Sequence, residues 1–243
     1  YAAVVSGSPS QLAAVREGRA GVQDEGSQLV ALALSRAESP AGPWLDLCAG
    51  PGGKAALLTG LAAGQGERLV AAERQPHRAR LVAQALRGYA GRRGPDRLDQ
   101  SPLVVAADGT CPAWHPGSFA RVLADVPCTG TGALRRRPDA RWRHQESDLA
   151  ELVPLQERLL HSALDAVVPG GVVAYVTCSP HPAETEQVVR AVHDQRDDVS
   201  VLDAWSYLSE VDDIARGPFI QLWPHRHSTD AMFCALLRRR DRA

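Results

Sequence analysis

The sequence predicts an α/β fold: a mostly parallel seven-stranded sheet with helices on both faces and an antiparallel hairpin at one edge. Three observations support it. Short apolar runs alternate with helix-patterned segments, as crossover units require. The first run ends in a Gly-rich turn that opens a helix. Near the end of the chain two apolar runs flank a polar loop.

Taken in order, "PWLDLC" (43–48) is the first strand, and "GGKAALLTGLAA" (52–63) has the Ala/Leu content of a helix. "RLVAAE" (68–73) is the second strand. "PHRARLVAQALRGYA" (76–90) is a helix opened by Pro, whose missing N–H costs nothing there. "PLVVAAD" (102–108) and "FARVLADVP" (119–127) are the third and fourth strands. The helix at 148–168 is expected to break or kink at Pro154. "GGVVAYVTC" (170–178), after a Pro-Gly-Gly turn, is the fifth strand, and 182–194 is a further helix. Residues 219–239 supply the edge hairpin. The first 40 residues, with an amphipathic helix in "DEGSQLVALALSRA", form a small extension packed on the domain at 41–243; the boundary falls in "ESPAGP". Residue 1 is Tyr, so the chain is expected to be a piece of a longer protein.

At 44% hydrophobic residues the chain can bury a sizeable core, yet no apolar run is long enough to span a bilayer. Secretion-signal patterning is absent, and the expected location is the cytoplasm. Cysteines stand at 48, 111, 128, 178 and 234, an odd number with no CxxC pair. That pattern argues for reduced thiols and against a disulfide framework or a zinc site. The net charge of −1 hides a basic block, "RRRPDARWR", with Arg135, Arg136, Arg137, Arg141 and Arg143 around Trp142. Five Arg against one Asp give a local +4, which suits a nucleic-acid backbone with one base-stacking aromatic. Lys54 is the only lysine in the chain, which suggests a site where a compact ammonium matters.

In open sheets of this kind, ligands bind beyond the carboxyl ends of the strands. After the first strand comes "DLCAGPGGK", whose glycines allow a sharp turn before a helix N-terminus. It is neither a P-loop nor a dinucleotide fingerprint. Glu73 follows the second strand, 20 residues past Gly53, where an acid commonly accepts ribose hydroxyls. Asp108 follows the third, placed for an adenine amino group. Together they describe a site for an adenosine with a small charged tail, and S-adenosylmethionine fits better than NAD. Asp125 and Cys128 follow the fourth strand and Cys178 the fifth, so all three share that rim. Two thiols and a carboxylate beside a methyl donor suggest methylation of carbon. C5 of a pyrimidine is a poor nucleophile until a thiolate adds to C6. Asp125 is placed to hydrogen-bond the N3/N4 edge of cytosine. Chemistry alone leaves either Cys128 or Cys178 as the nucleophile.

The stretches "QDEGSQLVALAL", "LDLCAGPGGK", "DVPCTGTGALRRRPDARW" and "YVTCSPHPAETE" resemble the RNA (cytosine-5) methyltransferases of the Sun/Fmu (RsmB-like) group in the NOL/NOP/Sun superfamily. "LWPHRHSTDAMFCALLRR" looks like that group's closing hairpin, so the resemblance runs from about Gln23 onward. It implies a Rossmann-like class I S-adenosylmethionine-dependent enzyme that makes 5-methylcytosine, in small-subunit ribosomal RNA above other RNAs. Cofactor contacts would come from Cys48, Ala49, Gly50, Pro51, Gly52, Gly53 and Lys54, completed by Glu73, Asp108 and Asp125. The nucleophile would be Cys178 of the TCS motif, and Cys128 of the PC motif would assist release. In related DNA methyltransferases the Pro-Cys cysteine attacks; the second cysteine in TCS tips the assignment to Cys178. The Arg135–Arg143 block would contact RNA. The departures are CAGPGGK for CAAPGGK, Glu73 for Asp, PCTG for PCSG, and HPAETE for PEENE. Many bacterial members also carry an N-terminal NusB-type RNA-binding domain, which is expected to be missing from this sequence; a monomer is expected. The competing readings are a methyltransferase acting on DNA, tRNA or a protein side chain, and an inactive RNA-binding member.

Overall fold

The computed structural model describes residues 7–91, 100–143, 145 and 147–240. Helices α1 (Ala13–Arg16) and α2 (Glu25–Arg36) precede strand β1 (Trp44–Asp46). There follow α3 (Gly53–Gly64), β2 (Leu69–Glu73), α4 (Pro76–Leu86), β3 (Leu103–Ala106) and β4 (Phe119–Asp125). Next come α5 (Ala140–Arg143), α6 (Asp148–Ala166), β5 (Val167–Thr177), α7 (Glu186–Asp194) and β6 (Val199–Leu202). The chain closes with β7 (Ala215–Arg216), β8 (Phe219–Gln221), α8 (Pro224–His227) and β9 (Phe233–Arg239).

The sheet runs β3-β2-β1-β4-β5-β9-β8-β7, with β6 also paired to β9. Strands β1 to β5 are parallel, and β9 is antiparallel to β5, β6 and β8. The strand order reverses between β1 and β4, which opens a crevice at their carboxyl ends. This is the class I methyltransferase arrangement; β8 and β9 are the expected hairpin, and β6 and β7 bring the seven strands read from the sequence to nine.

Alternate residues of the central strands feed two cores. On β5, Val172, Ala174 and Val176 face the layer that holds Val30 and Leu34 of α2, Leu58 of α3 and Val82 of α4. Val173 and Tyr175 face Leu160 and Leu164 of α6 and Val189 of α7. The period of two therefore survives in strands that read as continuous apolar runs. The segment before residue 41 joins the first layer through α2. Asp24 caps that helix by accepting from the Gly26 N–H at 3.0 Å. The buried guanidinium of Arg121 donates to Ala37 O at 2.8 Å near the other end and lies 4.8 Å from the Trp44 ring centre.

Two expectations change. Helix α6 is not interrupted at Pro154, which sits early in the helix. The Pro-Gly-Gly stretch lies inside β5, as a bulge: between Phe119↔Val167 and Arg121↔Val172 the register shifts. Gly170 takes φ +79° there, a conformation that disfavours any side chain. The antiparallel edge is present as expected: β9 lies between β5 on one side and β6 with β8 on the other, its first five residues are buried, and β7 ends the sheet.

Candidate active site

The crevice opens into a cavity of 660 Å³ walled by the loops after β1, β2, β4 and β5. Of the residues singled out above, Cys48, Ala49, Gly50, Pro51, Gly53 and Lys54 line it. Glu73, Asp108, Asp125, Cys128, Cys178, Arg136 and Arg137 line it too. Gly52 lies beneath: at φ +112° it turns the loop, and a Cβ there would meet Ala85 Cβ at 2.7 Å. It caps α3 without any side-chain hydrogen bond, which leaves the first-turn N–H groups facing the cavity end of the helix.

Glu73 is buried and braces the Gly loop. Its carboxylate accepts from Gly50 N–H at 3.1 Å and Gln75 N–H at 2.9 Å, with Arg78 at 3.6 Å. Each oxygen keeps a lone pair for a further donor. A side chain at Gly50 would occupy the space taken by that carboxylate and by Arg78. Asp108 accepts from both the amide and the hydroxyl of Thr110, at 2.9 and 2.7 Å, which holds its carboxyl below the usual range. Arg74 lies 3.2 Å away.

At the other end of the cavity Lys54 Nζ pairs with Asp125 Oδ2 at 2.9 Å. Cys128 Sγ and Cys178 Sγ stand 3.5 Å apart. The two thiols sit in unlike fields. A hydrogen bond from Cys128 pulls the Cys178 thiol below its usual value, and Lys54 adds to this against burial and Asp125. The same hydrogen bond, with burial and the Glu184 carboxylate, pushes Cys128 well up. Cys178 therefore ionises first, with Cys128 S–H as its donor. Burial, then the carboxylates of Asp46, Asp125 and Glu73, push Cys48 up and leave it a neutral thiol. Burial also pushes Cys234 up to about 12, while Cys111 is an exposed surface thiol.

The basic block divides. Arg135 pairs with Asp24 at 2.9 Å, and Arg136 grips Asp230 through two nitrogens; both acids are buried. These contacts fasten the segment after Cys128 to the start of α2. Arg137, Arg141 and Trp142 stay exposed, Trp142 by 85%. The Arg143 side chain lies outside the described residues.

Of the cavity residues that the sequence reading missed, two carry buried polar atoms without partners. The Gln23 Nε2 atom is buried with no hydrogen-bond partner, about 3.9 Å from where a Gly53 side chain would begin. Asp46, the last residue of β1, is 0% exposed, and neither carboxylate oxygen has a partner. A lone acid in an apolar strand was the available signal. Burial, then Asp125, push its carboxyl up to about 8, and Lys54 and the nearby Cys48 N–H offset this only in part. That folded-state value lies above the unfolded one, so the stability it contributes is full below about pH 4 and is lost as pH rises toward 8. The slope approaches about 1.4 kcal/mol per pH unit within that window. Asp46→Asn is thus expected to flatten the fall in urea-denaturation stability between pH 5 and 8. Parallel curves for the two proteins would refute it.

The cavity suits S-adenosylmethionine: a loop that a side chain at Gly50 would obstruct, an uncapped helix start, and buried polar atoms of Asp46 and Gln23 awaiting partners.

Comparison with known proteins agrees. The chain is 53% identical over 238 residues to the putative methyltransferase Rv1407 of Mycobacterium tuberculosis, covering 96% of this chain and 49% of that protein. It is 33% identical over 238 residues to a probable ribosomal RNA small subunit methyltransferase B of Synechocystis, covering 96% and 51%. The chain thus spans about half the length of these curated relatives. Among solved structures, NSun6 from Pyrococcus horikoshii with SFG shares the fold at a TM-score of 0.78 and 22% identity, covering 97% of this chain and 57% of that one. Residues 30–238 match the family described as 16S rRNA methyltransferase RsmB/F. On that match, and on its likeness to the Synechocystis protein, the chain belongs to the RsmB/F family of methyltransferases.

Proposed function

We propose that this protein methylates C5 of a cytidine in small-subunit ribosomal RNA through a transient bond between Cys178 Sγ and C6. The carrying observation is the pair of thiols, 3.5 Å apart, in the wall of the same cavity as the Gly loop. S-adenosylmethionine, when bound, supplies the electrophilic methyl group. The first-turn amides of α3 and the carboxylates of Glu73 and Asp108 would hold its tail, ribose and adenine.

The chain's own groups do the rest. The Cys128 S–H and then Lys54 favour the thiolate of Cys178 and lower its value. Addition of that thiolate to C6 would make C5 enamine-like, so that C5 can take the methyl group while the methyl–sulfonium bond breaks and its electron pair leaves on the thioether sulfur. Asp125 Oδ2 is held by Lys54, which leaves Oδ1 for the N3/N4 edge of the base. After the C5 proton leaves to a base, the Sγ–C6 bond breaks, its electron pair returns to Cys178, and Cys128 S–H donates to the departing sulfur. Arg137, Arg141 and Trp142 would meet the phosphates and a base of the bound strand.

The test is transfer of labelled methyl to small-subunit ribosomal RNA lacking its own methylation, followed by mapping of the product. The expected label is on C5 of one cytidine. Label on ribose or on a purine would overturn the proposal.

A further inference from the structure

We infer that Glu184 is a positioning residue for release of the methylated base, holding Cys128 against Cys178 through Thr129. This rests on the release role just proposed for Cys128.

Glu184 is 0% exposed and makes no ion pair among the described residues. Its charge is instead met by three donors. Oε1 accepts from the Thr129 N–H at 2.9 Å and from Gln156 Nε2 at 3.0 Å. Oε2 accepts from the Thr129 hydroxyl at 2.6 Å. Thr129 directly follows Cys128. The other proton of Gln156 Nε2 goes to Pro127 O at 2.9 Å, the residue just before Cys128. Both chain neighbours of this cysteine are therefore tied to one carboxylate.

Glu184 is itself anchored to the Cys178 side. Its N–H donates to His181 O at 3.0 Å, and its carbonyl accepts from the Tyr175 hydroxyl at 2.8 Å. Tyr175 is on β5, three residues before Cys178. A second stitch runs directly between the loops, from Gly132 N–H to Cys178 O at 2.9 Å. A side chain at Gly132 would come within 2.7 Å of that carbonyl.

A buried carboxylate is a pure acceptor and is tolerated only with its donors in place. Satisfied in full, such a network selects one geometry. Here the geometry selected is the sulfur–sulfur contact. Methyl transfer needs Cys178 and Lys54, and neither side chain bonds Glu184 or Thr129; a displaced Cys128 would still leave Lys54 beside the Cys178 sulfur, so the first turnover slows only in part. Elimination needs the Cys128 S–H on the departing sulfur, and misplacing a reacting group by about 1 Å can cost about 10²-fold.

The experiment compares first-turnover methyl transfer, steady-state turnover and denaturation-resistant protein–RNA adduct in the full-length protein and its variants. Glu184→Gln and the milder Thr129→Val are expected to lower steady-state turnover about tenfold more than the first turnover, and to accumulate adduct. Cys128→Ala is the control and is expected to trap adduct most strongly. Parallel loss of both rates without adduct, or wild-type turnover, in both variants overturns the inference while the control still traps. A control that traps nothing overturns the release role of Cys128 itself, and this inference with it.

Discussion

Cys178→Ala is expected to lower methyl transfer by about 10³-fold or more while cofactor affinity stays at the wild-type level. The magnitude follows from the loss of a covalent route, since no neighbouring group can activate C5 without adding to C6. Cys128 is a poor substitute despite lying 3.5 Å away. Its thiol is pushed well up by the hydrogen bond to Cys178, by burial and by Glu184, so little of it is thiolate near neutral pH. Removing Cys178 takes away part of that cause but leaves the burial and Glu184. The measurement pairs a labelled-methyl assay with calorimetric titration of the cofactor. Undiminished turnover would refute the nucleophile, and a parallel loss of cofactor binding would make Cys178 a structural residue instead.

How far the sequence reveals such a site depends on the range of the contacts that build it. The parallel strands and the placement of the loop from Cys48 to Lys54, with Glu73, Asp108, Asp125, Cys128 and Cys178, around one cavity were legible because each stands at or just after the end of a strand. The sheet alone then brings strand ends together. Contacts made by other routes were not legible. Arg135 meets Asp24 across 111 residues and Arg136 meets Asp230 across 94, so a run that looks like one solvated cationic face is half committed to buried acids. Strand β6 has four residues inside an acidic segment, too short to show a period. The Pro-Gly-Gly stretch signals a turn, and only its β4 neighbours make it a bulge. Asp46 left one signal, a lone acid in an apolar run, but nothing local in the sequence tells that both its oxygens are buried without partners.

Lys54→Met is expected to move the acid limb of the pH–rate profile upward by about one to two units and to cost about 10- to 10²-fold at pH 7. Two effects push in the same direction. The Cys178 thiolate loses a neighbouring cation, and Asp125, no longer paired at 2.9 Å, repels it more strongly. Thiolate exists above its own pKa, so raising that value removes nucleophile at neutral pH about tenfold per unit. In the wild type, burial pulls the Lys54 ammonium down, but the charge and hydrogen bond of Asp125 outweigh it and hold it above the usual lysine value. On the alkaline side, the stability contributed by this raised value is full up to about pH 10 and is lost only as pH rises through the folded-state value. A profile measured from pH 6 to 9 thus reads the thiolate and not the breaking of the pair. The discriminating result is the shape of the curve: a uniform drop with an unmoved acid limb would mean that Lys54 orients Asp125 without tuning Cys178. Recovery of rate toward alkaline pH would instead assign the lone lysine of the chain to the ionisation of its nucleophile.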